Sequence, residues 1–333
     1  MRLILGGHSA VALADPATGE VYGRTELVNP SYGALSPDGT LLYVVSEDIS
    51  GPGSVHTLRV ADESLTPIGE PVPSGGDQPC HLSVHPDGRH LLVANYGDGV
   101  LSVLPIGADG LPGEPTGVVR HRGDGPDRPR QAGPHVHQAI TDPSGQWVLA
   151  CDLGTDEVIA YALDTDHGTV TRHSAAQLTP GAGIRHLAFS PDGSRAYVAA
   201  ELSSQLIVCD WDGDAGVLTP TGVVSTVSTE GGSVDRNYPA AVVMSVDGDR
   251  VYVTNRGQDS IAVVDTALFE LIGTRPCEGE WPRDARLSPD GSILYVANEH
   301  TGAVVPFDVR DRVPVPTGPV IDFPEVTCVI TRH

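Results

Sequence analysis

The chain carries a few ionisable residues whose types suit acid–base chemistry and the binding of anions. A histidine, a glutamate and two arginines adjoin short apolar runs in the middle of the sequence: His137, Glu201, Arg185 and Arg256. A histidine or a carboxylate can transfer protons, and an arginine can stabilise an oxygen on which negative charge develops. If the four share one cleft, they should also perturb one another's pKa values. We therefore take them as candidate catalytic residues.

The charged composition limits what these residues can bind. All 20 basic residues are arginine, against 43 acidic residues, and the formal net charge is −23. Without lysine the chain cannot form a Schiff base, so an anionic substrate has to be held by arginine and histidine. A strongly acidic surface also disfavours nucleic acids and anionic membranes. We therefore expect a small molecule as the partner, with no nucleic acid and no membrane.

The cysteines and the N-terminus indicate the compartment. The five cysteines are dispersed, odd in number and form no CxxC pair, which is typical of small buried residues in a reducing compartment. The N-terminal sequence MRLILGGHSA has an apolar run that is too short for a signal peptide or a membrane span. These features predict a cytoplasmic protein without disulfides.

Six segments repeat the pattern of strand, tight turn and strand. Each alternates apolar and polar residues, turns on Asp-Gly or Ser-Gly and continues into an apolar run, which is typical of a β-hairpin. A third strand usually follows, as in GVLSVLPI, and then a weaker fourth, as in LTPTGVV. Four strands in each repeat of 43 to 57 residues are typical of a β-propeller blade. The turn glycines are Gly39, Gly88, Gly145, Gly193, Gly248 and Gly291.

The two termini supply one more blade. RLILGG and SAVALAD resemble the second and third strands of a blade that lacks its first strand, and EVTCVITRH at the other end is a lone strand. Pairing them closes the ring and leaves no open sheet edge. We therefore predict an all-β fold, a seven-bladed β-propeller with four antiparallel strands per blade. We expect residues 1–333 to form one domain, closed by pairing of the C-terminal strand with the N-terminal strands.

In such a blade the start of the innermost strand and the end of the second strand lie at the same mouth of the central channel. The Asp-Gly turns lie at the other mouth and vary little, whereas the first mouth collects diverse polar side chains, which predicts a site there. We expect eight residues near these strand ends to contact the substrate: His81, Asn95, Tyr96, His135, Asp152, His186, Arg283 and Glu299.

Two alternatives stay open for these residues. An Asn or Asp at a strand end often caps the next turn, so Asn95, Asp152 and Asn298 are equally explained by a structural role. Alternation along a strand puts His135 and His137 on one side, as metal ligands require, but no further ligand pair stands out. We expect neither a metal ion nor a cofactor.

The order of distinctive segments is similar to that of a known family. QPCHLSVHPDGRHLLVANYGDGVLSVLPI, GPHVHQAITDPSGQWVLACDLGTDEVIAYALD, RHLAFSPDGSRAYVAAELSS and YPAAVVMSVDGDRVYVTNRGQDSIAVV resemble successive blades of the propeller-type 6-phosphogluconolactonases of bacteria. The resemblance extends over about residues 27 to 310. That lactonase family also includes the fungal carboxy-cis,cis-muconate cyclases. The resemblance implies hydrolysis of a lactone, such as a phosphogluconolactone or a related small acidic lactone.

The resemblance also implies roles for individual residues. The family's histidine after Pro-His-x, its arginine before His-Leu-Ala-Phe, its glutamate before Leu-Ser-Ser and its arginine in Asn-Arg-Gly match the four candidate catalytic residues. A histidine or the glutamate would act as base and acid, and an arginine would stabilise the oxyanion. The sequence departs from the family pattern at four positions, Gln138, Ala200, Gln258 and Asp284.

Two other functions fit the same fold. An intramolecular cyclase or isomerase would use the same acid, base and arginines to add a carboxylate across a double bond. A non-catalytic binding propeller is suggested by VYVTNRGQDSIAVVDTA, which also resembles the repeat of surface-layer propellers. A test of turnover on a panel of lactones separates these two functions from lactone hydrolysis.

Overall fold

The computed structural model describes residues 1–48, 51–228 and 236–332, and the elements in these ranges are all β-strands. In chain order they are β1 (Arg2–Gly6), β2 (Ala10–Ala14), β3 (Val21–Glu26), β4 (Tyr32–Leu35), β5 (Leu41–Ser46), β6 (Pro52–Val60), β7 (Leu65–Asp77), β8 (Pro79–Val84), β9 (His90–Asn95), β10 (Val100–Pro105), β11 (Gly117–Arg120), β12 (Val136–Thr141), β13 (Trp147–Asp152), β14 (Glu157–Asp164), β15 (Thr169–Gln177), β16 (Ile184–Phe189), β17 (Arg195–Ala200), β18 (Gln205–Asp212), β19 (Val217–Ser225), β20 (Tyr238–Met244), β21 (Arg250–Arg256), β22 (Ser260–Asp265), β23 (Glu270–Pro276), β24 (Pro282–Leu287), β25 (Ile293–Asn298), β26 (Ala303–Asp308), β27 (Val315–Pro316), β28 (Ile321–Asp322) and β29 (Cys328–Arg332).

The strands form seven antiparallel sheets, which are the blades of a β-propeller. Blade 1 has the order β29-β1-β2-β3, and blades 2 to 6 each contain four consecutive strands from β4 to β23. Blade 7 contains β24 to β26, with the short strands β27 and β28 both paired to β26. The predicted seven-bladed fold is confirmed.

The predicted closure of the ring is confirmed by blade 1. The innermost strand β29 pairs antiparallel with β1 over five residue pairs, including Ile4 with Ile330. Because β29 comes from the C-terminus and the other three strands from the N-terminus, this blade joins the two ends of the chain. The sheet would otherwise have an exposed inner edge.

The apolar core lies between the blades. The buried apolar residues form seven clusters, one at each interface between neighbouring blades. One example packs Leu149 and Cys151 of blade 4 against Ile184 and Val198 of blade 5. The cysteines at positions 80, 151, 209, 277 and 328 are all buried and free, as predicted.

The tight turns that follow the innermost strands define one mouth of the channel, which we call the turn mouth. In blade 2, the amide of Gly39 donates to the carbonyl of Ser36 at 2.8 Å, and the Asp38 carboxylate accepts from the Ser36 hydroxyl at 2.6 Å. Gly39 has a φ of +68°, a left-handed conformation that favours glycine. The local sequence therefore fixes this turn, and with it the pairing of the two strands.

Within the described residues, no helix is long and apolar enough to cross a membrane.

Candidate active site

The opposite mouth, which we call the site mouth, owes its inward-facing side chains to β-bulges. In blades 3, 4, 5 and 7 the innermost strand has a register shift directly after its first pair, and in blade 6 the shift follows the second pair. The extra residue is Cys80 in blade 3, His137 in blade 4 and Arg283 in blade 7, while Arg185 and His186 together occupy this stretch in blade 5. A bulge re-aims side chains, so the ionisable residues leave the regular ladder at this level.

The second strand of each blade supplies the other half of the site mouth. In blades 2, 3, 4, 5 and 7, the residue that follows the last paired residue of this strand donates its amide N–H to a backbone carbonyl just before the innermost strand. Thus the amide of Glu201 donates to the carbonyl of Gly183 at 2.8 Å, and that of Tyr96 to Gln78 at 3.0 Å. This shared register places Glu201 next to the bulge that carries Arg185.

Glu201 lies at the centre of a cluster of arginines. Its Oε2 accepts a hydrogen bond from Arg256 Nη2 at 2.7 Å, and its Oε1 accepts one from Arg130 Nη2 at 2.7 Å. Arg185 Nε lies 3.3 Å from Oε2 but lacks the geometry of a hydrogen bond, which leaves this buried N–H unpaired. The three guanidinium groups outnumber the carboxylate, so the cluster carries an excess of positive charge.

The charge of this cluster fixes the protonation state of Glu201. Burial alone would raise the pKa of its carboxyl group, but the positive charges of Arg256, Arg185 and Arg130 act against burial and hold the pKa well below its usual range. Glu201 therefore stays ionised at neutral pH. An ionised carboxylate that is held by arginines is a poor proton donor, and its geometry suits the positioning of the arginines.

His137 is the titratable group next to this cluster. Its ring contacts Tyr96 and His186 edge-on, with centroid distances of 5.6 and 5.1 Å, and its Nδ1 is buried without a hydrogen-bond partner. Burial, followed by the charge of Arg185, lowers the pKa of His137 well below 6.5. A neutral imidazole with an unpaired nitrogen is suited to accept a proton.

The floor of the site consists of three rings in contact with one another. His186 lies 5.4 Å from His81, which in turn lies 4.4 Å from Tyr32. Below them, on the side of the turn mouth, the channel contains a cavity of about 650 Å³ that is lined by all three rings. Burial lowers the pKa of His81 to about 3, so this ring is neutral. The rings separate the cavity from the cluster around Glu201.

A second cluster, at blade 7, has the opposite balance of charge. Arg283 Nη1 lies 3.3 Å from Glu299 Oε2, and its Nη2 lies 3.8 Å from Glu47 Oε2. His8 Nε2 makes a hydrogen bond of 2.9 Å with the other oxygen of Glu299. Burial opposes the shift, but the hydrogen bond of His8 and the charge of Arg283 lower the pKa of Glu299 to about 2. The site mouth is thus polarised, with arginines in excess at blade 5 and carboxylates in excess at blade 7.

The fold itself uses two of the predicted substrate contacts. Asn95 is fully buried and bonds to Ser74, Ser102 and the carbonyl of Val100. Asp152 is also fully buried.

The carboxylate of Asp152 is held by backbone amides and a histidine. Its Oδ1 accepts from the amides of His135, Gly154 and Thr155, and its Oδ2 bonds to His121 Nδ1 at 2.7 Å. The hydrogen bonds of Asn95 and Asp152 match the structural role that the sequence analysis gave as the alternative to substrate binding. His135 itself lies at the rim, stacked on Tyr96 at 4.4 Å, with its Nδ1 bonded to the Tyr96 carbonyl.

Gln138 and Asp284, two of the departures from the family pattern, share one structural position. Each directly follows a bulge residue in the sequence. Each accepts a hydrogen bond from a backbone N–H in the innermost strand of the next blade. Gln138 Oε1 accepts from Leu187 at 2.7 Å, and Asp284 Oδ2 accepts from Val329 at 3.0 Å. These side chains tie neighbouring blades together around the channel.

Sequence reasoning missed two residues of the site. Arg130 lies in the connection between β11 and β12, outside the repeat, and the longest interval between turn glycines was the only signal for it. Trp281 has a φ of +62°, unusual for a bulky residue, and its ring stacks on His300 at 4.7 Å. Arg256 Cζ lies 5.6 Å from the centroid of Trp281, which is a cation–π contact.

The sequence of the whole ring matches one family. The sequence model described as "Lactonase, 7-bladed beta-propeller" matches residues 11–331. The chain belongs to this lactonase family. The four residues that the resemblance implied to be catalytic all lie at the site mouth of this lactonase-family propeller, in the contiguous set just described.

Several members of the family are similar over most of this chain. The 6-phosphogluconolactonase of Bacillus subtilis is 36% identical over 296 residues, which are 86% of this chain and 82% of the relative. That of Formosa agariphila is 26% identical over 314 residues, 90% of this chain and 85% of the relative. Among solved structures, the periplasmic gluconolactonase PpgL of Pseudomonas aeruginosa superposes with a TM-score of 0.89 and 30% identity, over 99% of this chain and 98% of that chain.

Proposed function

We propose that this lactonase-family protein hydrolyses a small acidic lactone at the site mouth, with 6-phosphogluconolactone as the reference substrate. The observation that carries the proposal is the pairing of a neutral, unpaired imidazole at His137 with the excess of guanidinium groups around Glu201. A lactonase needs a base for water and positive charge for the developing oxyanion. The names of its relatives support the same reaction.

The chemistry assigned to each residue follows from its protonation state. The imidazole of His137 removes a proton from water while the water oxygen attacks the lactone carbonyl carbon. Arg185, whose Nε–H is unpaired, donates to the carbonyl oxygen as it becomes negative. The bond from the carbonyl carbon to the ring oxygen then breaks. The departing alkoxide takes the proton from the His137 imidazolium, which leaves a carboxylate and an alcohol.

The remaining arginines suit the anionic group of the substrate. Arg130 and Arg256 each direct Nη2 at Glu201, and Arg256 Nε also donates to the carbonyl of Tyr238. The Nη1 groups of both guanidiniums can then bind an anion. We therefore propose that Glu201 positions the arginines and that His137 carries out the proton transfer. The sequence had left both residues as candidates for the base and acid. The carboxylates near Arg283 disfavour a second anionic group at blade 7.

The test is a comparison of lactones by acid release at constant pH. We expect hydrolysis of 6-phosphogluconolactone well above its spontaneous rate, and a kcat/KM at least about tenfold lower for the lactone without the phosphate. A cyclase would release no acid, and a binding propeller would show no turnover. The cytoplasmic location stays a prediction, because one similar protein is named as periplasmic.

A further inference from the structure

One turn at the turn mouth brings two histidines to its aspartate. In blades 2, 5, 6 and 7 the turn begins with a serine whose hydroxyl donates to the turn aspartate, as Ser190 does to Asp192. In blade 3 the sequence is His-Pro-Asp-Gly-Arg-His, with His85 in place of the serine and His90 at the start of the next strand. Two imidazoles therefore flank the aspartate of this turn, Asp87.

The two imidazoles converge on that carboxylate. His90 Nδ1 lies 2.8 Å from Asp87 Oδ2, and His85 Nδ1 lies 3.1 Å from Asp87 Oδ1. One ligand atom from each of the three residues lies within 4.8 Å of the other two. Both histidine side chains are only 5% exposed, while Asp87 is 17% exposed, so a path to solvent remains beside the carboxylate.

The contacts of His85 place a nitrogen lone pair against the carboxylate of Asp87. Its Nε2 lies 3.3 Å from the carbonyl oxygen of Gly145, and its Nδ1 faces the carboxylate oxygen of Asp87. Both oxygens are acceptors, but a neutral imidazole has only one N–H. Moreover, the amide of Asp87 donates to the same Nδ1 at 3.3 Å, which requires a lone pair there. A lone pair then faces the carboxylate oxygen, and a cation between them removes the conflict.

We propose that His85, Asp87 and His90 bind a divalent transition-metal ion of the zinc class. Two imidazole nitrogens and a carboxylate oxygen form a ligand set that zinc accepts, with water at the fourth position. Bonds of about 2.0–2.1 Å in a tetrahedron place ligand atoms about 3.3 Å apart. The His–Asp separations of 3.1 and 2.8 Å would widen by a few tenths of an ångström, and the other donor separations, all within 4.8 Å, would close toward that value. The Gly145 carbonyl would orient His85 from outside the ligand set, as is usual for metal-bound histidine.

The position of the site indicates a structural role. Gly145 belongs to the turn of blade 4, so the ion would link the turns of two neighbouring blades through His85. Because the site lies at the turn mouth, away from His137 and Glu201, it is independent of the proposed lactonase reaction. Metal-free protein should therefore keep its lactonase activity at a temperature well below its unfolding midpoint.

The experiment uses chelator-treated full-length protein, titrated calorimetrically with Zn²⁺ and in parallel with Co²⁺. We expect one ion per chain, visible absorption bands of tetrahedral Co²⁺, and a higher unfolding midpoint with Zn²⁺. His85→Ser, which installs the residue used in four other blades, and His90→Gln should each weaken binding at least about 100-fold, more than the loss of an outer partner typically causes. Because serine already serves this turn elsewhere, His85→Ser should fold.

His167→Gln is the matched control, because His167 makes the same kind of contact with Asp164, at 2.9 Å, on the exposed surface. It should leave Zn²⁺ binding unchanged. The absence of stoichiometric binding to the wild-type protein would overturn the proposal, as would equal binding by wild type and His85→Ser. A lactone hydrolysis rate that is unchanged on metal removal keeps this result separate from the fate of the proposed lactonase function.

Discussion

The two mouths of the channel are built from the same strands, yet they differ in what their side chains do. At the turn mouth, serine and aspartate side chains bond to each other and to nearby backbone, as in the turn of Ser190 and Asp192. At the site mouth, buried atoms without a partner include His137 Nδ1, Arg185 Nε and His186 Nε2. Unsatisfied buried polar groups are costly, so their concentration at one mouth indicates that a ligand completes them.

The two mouths differ because different kinds of connection between strands form them. A tight turn of this kind leaves no freedom in backbone length, so blades 2 to 7 repeat it, as Asp-Gly or, in blade 4, as Ser-Gly. At the site mouth the chain passes between blades and between strands through loops of varied length, and bulges turn side chains out of the ladder. Variation is therefore tolerated at the mouth where we propose that the substrate binds. Among the turns, that of blade 3 carries two histidines beside its aspartate.

The largest effect on activity is expected for His137→Asn. Removal of the base should lower kcat by about 10² to 10⁴-fold without unfolding the protein. Because the pKa of His137 is lowered, its base form persists as the pH falls below 6.5, and activity should decline only at more acidic pH. Initial rates on the phosphorylated lactone between pH 5 and 8 measure both effects. A decline centred near pH 6.5 or above would contradict the assignment.

Arg256→Lys should have the next largest effect. The lysine cannot reproduce both the contact with Glu201 and the planar contact with an anion, so we expect kcat/KM for the phosphorylated lactone to fall about 10- to 100-fold. Arg195→Lys at the turn mouth, where Arg195 is 40% exposed beside Asp210, is the control and should leave kcat/KM unchanged. Equal effects of the two substitutions would remove the distinction between the mouths.

Glu201→Gln tests positioning against proton transfer. If Glu201 only holds the arginines, loss of its charge should lower kcat/KM about tenfold. The acidic limb of the pH profile, set by His137, should move to lower pH, because the negative charge of Glu201 raises the pKa of that imidazole. The pKa of Glu201 lies below the tested range, so its own titration adds no limb there. A loss of kcat as large as that expected for His137→Asn would instead make Glu201 the proton carrier.

The smallest effect on activity is expected at the turn of blade 4. Asp142 is buried and accepts from the amides of Ser144, Gln146 and Trp147. Asp142→Asn weakens this turn and should lower the free energy of unfolding by about 1–2 kcal/mol. Urea denaturation measures this loss, and kcat should be unchanged below the transition. A large fall in kcat with an intact fold would couple the turn mouth to catalysis.

The fold could be predicted because its signals are local and repeated. Alternation, the turn glycines and the unpaired terminal strands together specify the hairpins and the closure between β29 and β1. His137 and Arg185 could be predicted because they follow the same repeat position. The bulges that turn them inward could not, since a register shift depends on pairing across the sheet and leaves no mark in a single strand.

Other parts of the site lacked any local signal. Arg130 reaches Glu201 from a connection outside the repeat, so only the folded chain brings them together. Asn95 and Tyr96 are neighbours at one strand end, yet Asn95 bonds within the blade and Tyr96 stacks at the rim. Which of two adjacent polar residues faces the channel depends on register, which composition does not reveal.

The most direct test of the account is a crystal structure with the product 6-phosphogluconate. We predict that the product lies at the site mouth, with its phosphate on Arg130 and Arg256 and its carboxylate within hydrogen-bond distance of Arg185 and His137. A product bound in the cavity of about 650 Å³ behind His81 and His186 would contradict the account, as would a phosphate placed at Arg283.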